Sequence, residues 1–223
     1  MKNTILALPF LAFALTANAA DETVAPESFA APFAVSKTPA LRESTLPRAR
    51  WEHRRGGPLW TRVALSAIET HGRTLLDVVP RDIAEWCPAY PGNKVEQRAA
   101  FWTALLSTLS RYESTWDPRA VGGGGQWFGL LQIYPPTAEF RGCHVQSGEG
   151  LKSASANLNC AVRIMTKTVP RDQAISLKER RWMGVAADWG PIRTEWMRRD
   201  MQRYTRRQVY CRPLAQVRPK ARP

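Results

Sequence analysis

Histidine and cysteine are scarce in this chain of 223 residues, with only His53, His71 and His144 and the cysteines at 87, 143, 160 and 211. No two cysteines have Cys-x-x-Cys spacing and the histidines are scattered, so a zinc centre finds little support; neither metal nor cofactor is expected. Long apolar runs are also missing. The stretch from Ile5 to Leu15 is too short to span a bilayer comfortably, and no other segment is apolar enough to try. The run Gly122–Gly125 is not followed by Gly-Lys-Ser/Thr, which argues against a phosphate-binding loop. Flexibility, or close approach of backbone to a ligand, explains it better. Acidic side chains are few as well: 19 against 32 lysines and arginines, a formal charge of +13.

What is present places the chain outside the cytoplasm. Lys2, the apolar stretch and the small-x-small triplet Ala17-Asn18-Ala19 predict a signal peptide over 1–19, export to the periplasm or cell envelope, and a mature chain starting near Ala20. No cysteine stands beside that site, so no lipid anchor is expected there. Residues 20–58 are rich in proline, alanine, serine and charge without helical periodicity, and read as an extended or disordered linker. Residues 59–212 are long enough for one domain with a real core, and 213–223 form a basic tail. An even cysteine count in an exported chain favours disulfides. Three pairings are possible; Cys143–Cys160 would close a short polar loop, and Cys87–Cys211 would tie an early loop to the end of the domain.

The domain reads as mainly α. Trp60, Val63, Ala64 and Ile68 suggest a first helix. Val95, Ala99, Trp102, Leu105, Leu106, Leu109 and Tyr112 recur at helical spacing, and Glu113 continues that helix, with Pro118 ending it. One carboxylate thus sits at the end of an apolar-periodic segment, followed by Ser114-Thr115-Trp116-Asp117-Pro118 and, beyond the glycines, by Gly129-Leu130-Leu131-Gln132-Ile133.

These two blocks, with Pro136-Thr137-Ala138, resemble the catalytic core of the soluble lytic transglycosylase (SLT-domain, lysozyme-like) family, which cleaves the glycan strands of peptidoglycan. Leu131 stands where the family often has Met. Asn157-Leu158-Asn159-Cys160-Ala161-Val162-Arg163-Ile164-Met165 is similar to a family helix behind the site. Ala186-Ala187-Asp188-Trp189-Gly190-Pro191 is similar to the family's Ala-Tyr-Asn-Ala-Gly-Pro, but with Ala187 at the tyrosine and Asp188 at the asparagine. The resemblance implies a lysozyme-like helical domain with a catalytic Glu113 at a helix end. It also implies a sugar cleft touched by Ser114, Gly129, Leu131, Gln132, Asn157, Asp188 and Trp189.

Glycosidic cleavage usually takes two carboxylates, but one suffices where the sugar supplies its own nucleophile. In N-acetylmuramic acid the 6-hydroxyl can close onto the anomeric carbon, giving a 1,6-anhydro end, with Glu113 as acid and then base. Such an acid needs a raised pKa, and Tyr112, Trp116, Trp127 and Phe128 are candidates for the apolar pocket that raises it. Asp188 would add a negative charge near Glu113, raising it further, or would position water and make the enzyme a muramidase-type hydrolase. Asp117, beside Pro118, reads as a turn or cap acceptor. A non-catalytic envelope-binding or assembly protein of the same fold is the reading from another class. The arginine-rich C-terminal segment would suit an anionic envelope polymer rather than nucleic acid, because of export. Met197, Met201 and Tyr204 share a face expected to dock on the core. A monomer is expected.

Overall fold

A computed structural model of the protein describes residues 46–213. The expected signal peptide, the linker as far as residue 45 and the tail from residue 214 lie outside the described residues. The rest is mainly helical: α1 (Gly57–Glu69), α2 (Thr74–Asp77), α3 (Ile83–Trp86) and α4 (Val95–Ser114), then a hairpin of β1 (Val121–Gly122) and β2 (Trp127–Phe128). There follow α5 (Pro135–Phe140), α6 (Gly148–Leu151), α7 (Ala154–Asp172), α8 (Gly190–Arg193) and α9 (Glu195–Arg206). Among the described residues, no helix is long and apolar enough to cross a membrane.

Helix α4 is the axis of the domain. Its start is fixed by Gln97, whose side chain accepts from the Lys94 backbone N–H at 2.9 Å. Every residue from Ala99 to Ser110 is buried, as expected of a helix packed on all sides. Serine and threonine are tolerated there because they donate to their own helix: Thr103 to the Ala99 carbonyl at 3.0 Å, Ser107 to Ala104 at 2.8 Å and Ser110 to Ser107 at 3.1 Å. Helix α7 packs against α1, and α9 closes over α3 and α4. Met201 is fully buried, Met197 packs on the core, and the Thr205 hydroxyl donates to the Trp86 carbonyl at 2.7 Å. Cys87 is bonded to Cys211 and Cys143 to Cys160, and among the described residues no cysteine is free.

Two expectations change. The linker does not run to residue 58. Trp51 is buried, its indole N–H donating to Thr61 Oγ1 at 2.8 Å, and Ala49 is buried beside it. The Arg50 guanidinium reaches Thr108 Oγ1 at 2.9 Å and pairs with Asp200. One tryptophan among prolines and arginines produces no periodicity, so its burial is invisible in the sequence. Helix α4 also ends without the help of Pro118. Thr115 (φ 53°) and Trp116 (φ 58°) both turn left-handed, and their N–H groups return to the Arg111 and Ser110 carbonyls. Left-handed backbone is costly for a β-branched or bulky residue. Trp116 is held there by its indole N–H, which donates to the Ser107 carbonyl at 2.8 Å.

Candidate active site

The turn after α4 leaves Glu113 at the helix end, facing a cleft of about 400 Å³. The opposite walls come from the β1–β2 hairpin (Gly122, Gly123, Trp127), from Gln132, and from the segment entering α8 (Asp188 to Pro191, with Arg193). The glycine run is thus a hairpin turn, with Val121 opposite Phe128 and Gly122 opposite Trp127. Gly123 has φ +57°, and a Cβ on it would run into the Trp127 ring. Glycine here lets the exposed Trp127 lie flat along its own hairpin at the mouth of the cleft.

Burial raises the Glu113 carboxyl from the ordinary range to about 8. Among the described residues no cation pairs with it. Desolvation without a counter-charge favours the neutral acid. The expected push from Asp188 is not the cause. Asp188 has its charge offset by Arg141, whose Nη2 lies 3.4 Å from its Oδ1. Burial raises the Asp188 carboxyl too, opposed by the Arg141 charge. Of the four aromatic residues expected around Glu113, only Trp127 lines the cleft. Tyr112 points away, donating to Asp200 at 2.6 Å and meeting the Trp196 ring edge-on at 5.5 Å. Trp116 packs edge-on with His53 at 4.6 Å, and Phe128 lies under Lys152.

A buried acid of this kind also shapes stability. In the unfolded chain Glu113 ionises near its ordinary value of 4.5, but in the folded chain near 8. Between those limits the folded state binds the extra proton, so stability falls as pH rises through the window and levels off above it. Glu113→Gln removes this penalty. The unfolding free energy of the variant is expected to pull ahead of wild type progressively from pH 5 to pH 8, by on the order of 2–4 kcal/mol at the upper end. A difference that stays constant across that range would show that Glu113 titrates normally.

The residues expected to bind sugar divide into two sets. Gln132, Asp188 and Trp189 border the cleft with Glu113. Gln132 sits at φ +45°, its amide donating to the Ala120 and Gly129 carbonyls at 3.2 and 3.0 Å. Trp189 is only 4 % exposed and its indole N–H donates to the Leu131 carbonyl at 3.0 Å. It is therefore a buttress with one edge at the cleft. Ser114, Gly129, Leu131 and Asn157 are not among the residues that border the cleft. The Ser114 hydroxyl donates to the Leu130 carbonyl at 2.9 Å, joining α4 to the Gly-Leu-Leu-Gln turn. Leu131 is a core side chain. Gly129 has φ +77°, and a Cβ there would strike the Leu151 carbonyl and the Asn157 amide. Asn157 is fully buried and bonds three backbone groups of the cleft wall: the Leu131 N–H at 2.9 Å and the Phe128 and Leu151 carbonyls at 2.8 and 3.0 Å.

Sequence reasoning missed Arg141 and Arg193. Arg141 is 47 residues from the aspartate it neutralises. Arg193 donates to the Ala186 and Ala187 carbonyls, both at 2.7 Å, and so fixes the segment that carries Asp188. An isolated arginine in a chain so rich in arginine gives no signal of either role. Among the described residues no group of three or more His, Cys, Asp or Glu side chains gathers as a metal site.

No curated protein sequence matches this chain. Among solved structures it is similar to wild-type DslA, form 2, at 28% identity with a TM-score of 0.68, covering 74% of this chain and 98% of that one. It is likewise similar to two glutamate-to-glutamine variants of DslA, at 27% and 28% identity with TM-scores of 0.68 and 0.67, each over 74% of this chain and 97% of the other. The family model described as Transglycosylase SLT domain matches residues 91–187, a span that runs from before α4 to Ala187 and takes in Glu113, the hairpin, the Gly-Leu-Leu-Gln turn and α7. Residues 91–187 are thus similar to the transglycosylase SLT domain, and the mainly helical fold, with an acid at the end of α4, is similar to that of the DslA structures.

Proposed function

We propose that the protein is a peptidoglycan lytic transglycosylase that cleaves the bond from N-acetylmuramic acid to N-acetylglucosamine and leaves 1,6-anhydro ends. The observation that carries this is Glu113: an acid at the cleft, held near pKa 8 by burial and, unlike Asp188, without a cation beside it. Neutral at pH 7, it donates its proton to the bridging oxygen as the C1–O bond breaks. The carboxylate so formed takes the proton from the 6-hydroxyl of the same muramic acid as that oxygen closes onto C1. One group serves as acid and then as base, no water is consumed, and the acid is regenerated. Activity is then lost as pH rises through about 8. A signal peptide over 1–19, a linker, a periplasmic or envelope location, a monomeric state and a basic C-terminal segment that holds to anionic envelope polymers complete the proposal.

The muramidase alternative needs Asp188 to position water. Its carboxylate is an acceptor at the cleft, but it is tied to the Arg141 guanidinium. Digestion of purified murein sacculi separates the readings. Mass spectrometry of the released glycans is expected to show anhydro ends from wild type and from Asp188→Asn alike. Reducing ends from wild type that vanish in Asp188→Asn would assign the water-activating role to Asp188. Absence of any release, by a folded protein that still binds sacculi, would leave an envelope-binding protein.

A further inference from the structure

Four arginines meet at the end of α9 with little to oppose them. Arg203, Arg206, Arg207 and Arg212 are exposed, and together they line a depression of about 440 Å³. Arg206 Nη1 donates to the Ala84 carbonyl at 2.8 Å and Arg212 Nη2 to the Arg207 carbonyl at 2.9 Å, so backbone oxygens hold these forks in place without neutralising them. Arg203 reaches Asp200 at 3.3 Å, but that acid is already shared with Arg50 and Arg111. The Glu85 carboxylate accepts from Gln202 at 3.0 Å and, among the described residues, pairs with no arginine; Arg207 pairs with no acid. The helix dipole favours cations at this end of α9, which accounts for arginines being there. It does not account for what lies beside them.

Arg212 also borders an apolar groove of about 770 Å³, larger than the cleft that holds Glu113. The groove lies between two segments, Pro88 to Asn93 and Val209 to Pro213, with Gln97 of α4. The Cys87–Cys211 bond locks the two segments together. So do the Ala89 N–H, donating to the Cys211 carbonyl at 3.3 Å, and the Asn93 side-chain amide, donating to the Tyr210 carbonyl at 2.8 Å. The groove is therefore preformed. The Tyr210 hydroxyl is engaged by α4, donating to the Ala100 carbonyl at 3.0 Å, which leaves its ring for the groove. Val209, between the groove and the arginines in the chain, is 73 % exposed. An exposed apolar surface of this kind marks a binding site.

The two depressions together specify the partner. A guanidinium fork matches the oxygens of a phosphate, and several forks in one basin suit a group with several anionic oxygens. A polar polyanion would use the basin and leave the groove empty. An anionic amphiphile uses both. We propose that this face docks on an anionic lipid surface, a headgroup phosphate entering the arginine basin and the apolar chain beside it lying against Val209 and the groove. This goes beyond the polymer contact proposed for the basic C-terminal segment, and it does not depend on the glycan-cleaving reading. It also sets the cleft off from the lipid. Gln97 at the groove and Glu113 at the cleft stand on the same helix, roughly 24 Å apart along its axis at about 1.5 Å per residue.

The test uses the full chain and measures its co-sedimentation with vesicles of phosphatidylcholine alone and of phosphatidylcholine with phosphatidylglycerol in equal parts. Polyglutamate serves as a lipid-free polyanion. The mixed vesicles are expected to bind and the neutral ones to bind far more weakly. Arg207→Gln should weaken the mixed-vesicle affinity about fivefold, and Arg206→Gln with Arg207→Gln about thirtyfold, the scale of one and two charges at a membrane surface. Val209→Gln leaves the charge unchanged and should weaken it up to about tenfold, the scale of one valine withdrawn from apolar contact, with polyglutamate binding kept within about twofold. Circular dichroism checks that each variant is folded, and Arg207→Gln breaks no ion pair of the fold. Full vesicle affinity in Val209→Gln would show the groove closed to lipid, covered by the chain's own tail, and overturns the proposal. Tighter binding of polyglutamate than of mixed vesicles would assign the arginines to a polymer and refute the lipid. Absence of vesicle binding overturns it outright, while glycan release from sacculi, measured separately, decides the reading of the cleft.

Discussion

Glu113→Gln is expected to lower glycan cleavage by about 10²–10⁴-fold, the usual size of a general acid–base contribution, and toward the upper end because one group serves both proton transfers. The amide matches the carboxyl in shape, so the cleft should keep its form. It can neither give a proton to the bridging oxygen nor take one from the 6-hydroxyl. The substitution also removes a buried group whose ionised form is disfavoured, so the variant should be at least as stable as wild type at neutral pH. That combination, a dead enzyme in a sound or sturdier fold, is hard to mistake for misfolding. Release of muropeptides from sacculi and thermal melting, measured on the same preparation, check it. Activity within about threefold of wild type would remove Glu113 from the chemistry.

Asn157→Ala is expected to do the reverse, damaging the fold first and the activity through it. The side chain is fully buried and satisfies three backbone groups at once: the Leu131 N–H, the Phe128 carbonyl and the Leu151 carbonyl. Those groups belong to β2, to the Gly-Leu-Leu-Gln turn and to α6. Alanine leaves all three without partners, and each buried orphan costs about 1–3 kcal/mol. A loss of roughly 3 kcal/mol or more follows, which in a chain of this size lowers the melting temperature by about 10 °C. Asn157→Asp should not rescue it. A carboxylate can accept from Leu131 but has no N–H for the two carbonyls, and its charge would be buried. A drop of under about 1 kcal/mol for Asn157→Ala would mean that the cleft wall stands without this bond set.

The contrast between these residues shows how function and architecture share one motif. Ser114 follows Glu113 in the chain, yet its hydroxyl serves the Leu130 carbonyl. Gly129, Leu131 and Asn157 form a second layer that brings Gln132 to the cleft. A motif read as a row of sugar contacts is thus mostly the framework that places two polar side chains, Glu113 and Gln132, on facing walls. The C-terminal arginines likewise divide. Some face solvent, while Arg203 joins Arg50 and Arg111 around Asp200. Burial alone would raise the Asp200 carboxyl, but the hydrogen bonds from Arg50 and Tyr112 outweigh it and hold it at about 2. Part of the basic charge is therefore spent on joining α9, α4 and the chain before α1.

The amino-acid sequence by itself determined the helical class, the long helix ending at Glu113, the apolar face of α9 and the order of the family motifs. These are properties of local periodicity and residue type, which act over a few turns of chain. It also made Glu113 the candidate acid, because chemistry of this kind needs a carboxyl and the motif offers one. Only the tertiary structure decided how far Glu113 is buried, and hence that it stays protonated at neutral pH, since desolvation is a property of what surrounds a group in space. The same holds for Arg141 beside Asp188, for Trp51 in a segment composed like a linker, and for Asn157 as a bolt rather than a sugar contact. Each depends on residues brought together from 10 to 47 positions apart, where sequence spacing carries no physical constraint and packing alone chooses the partner.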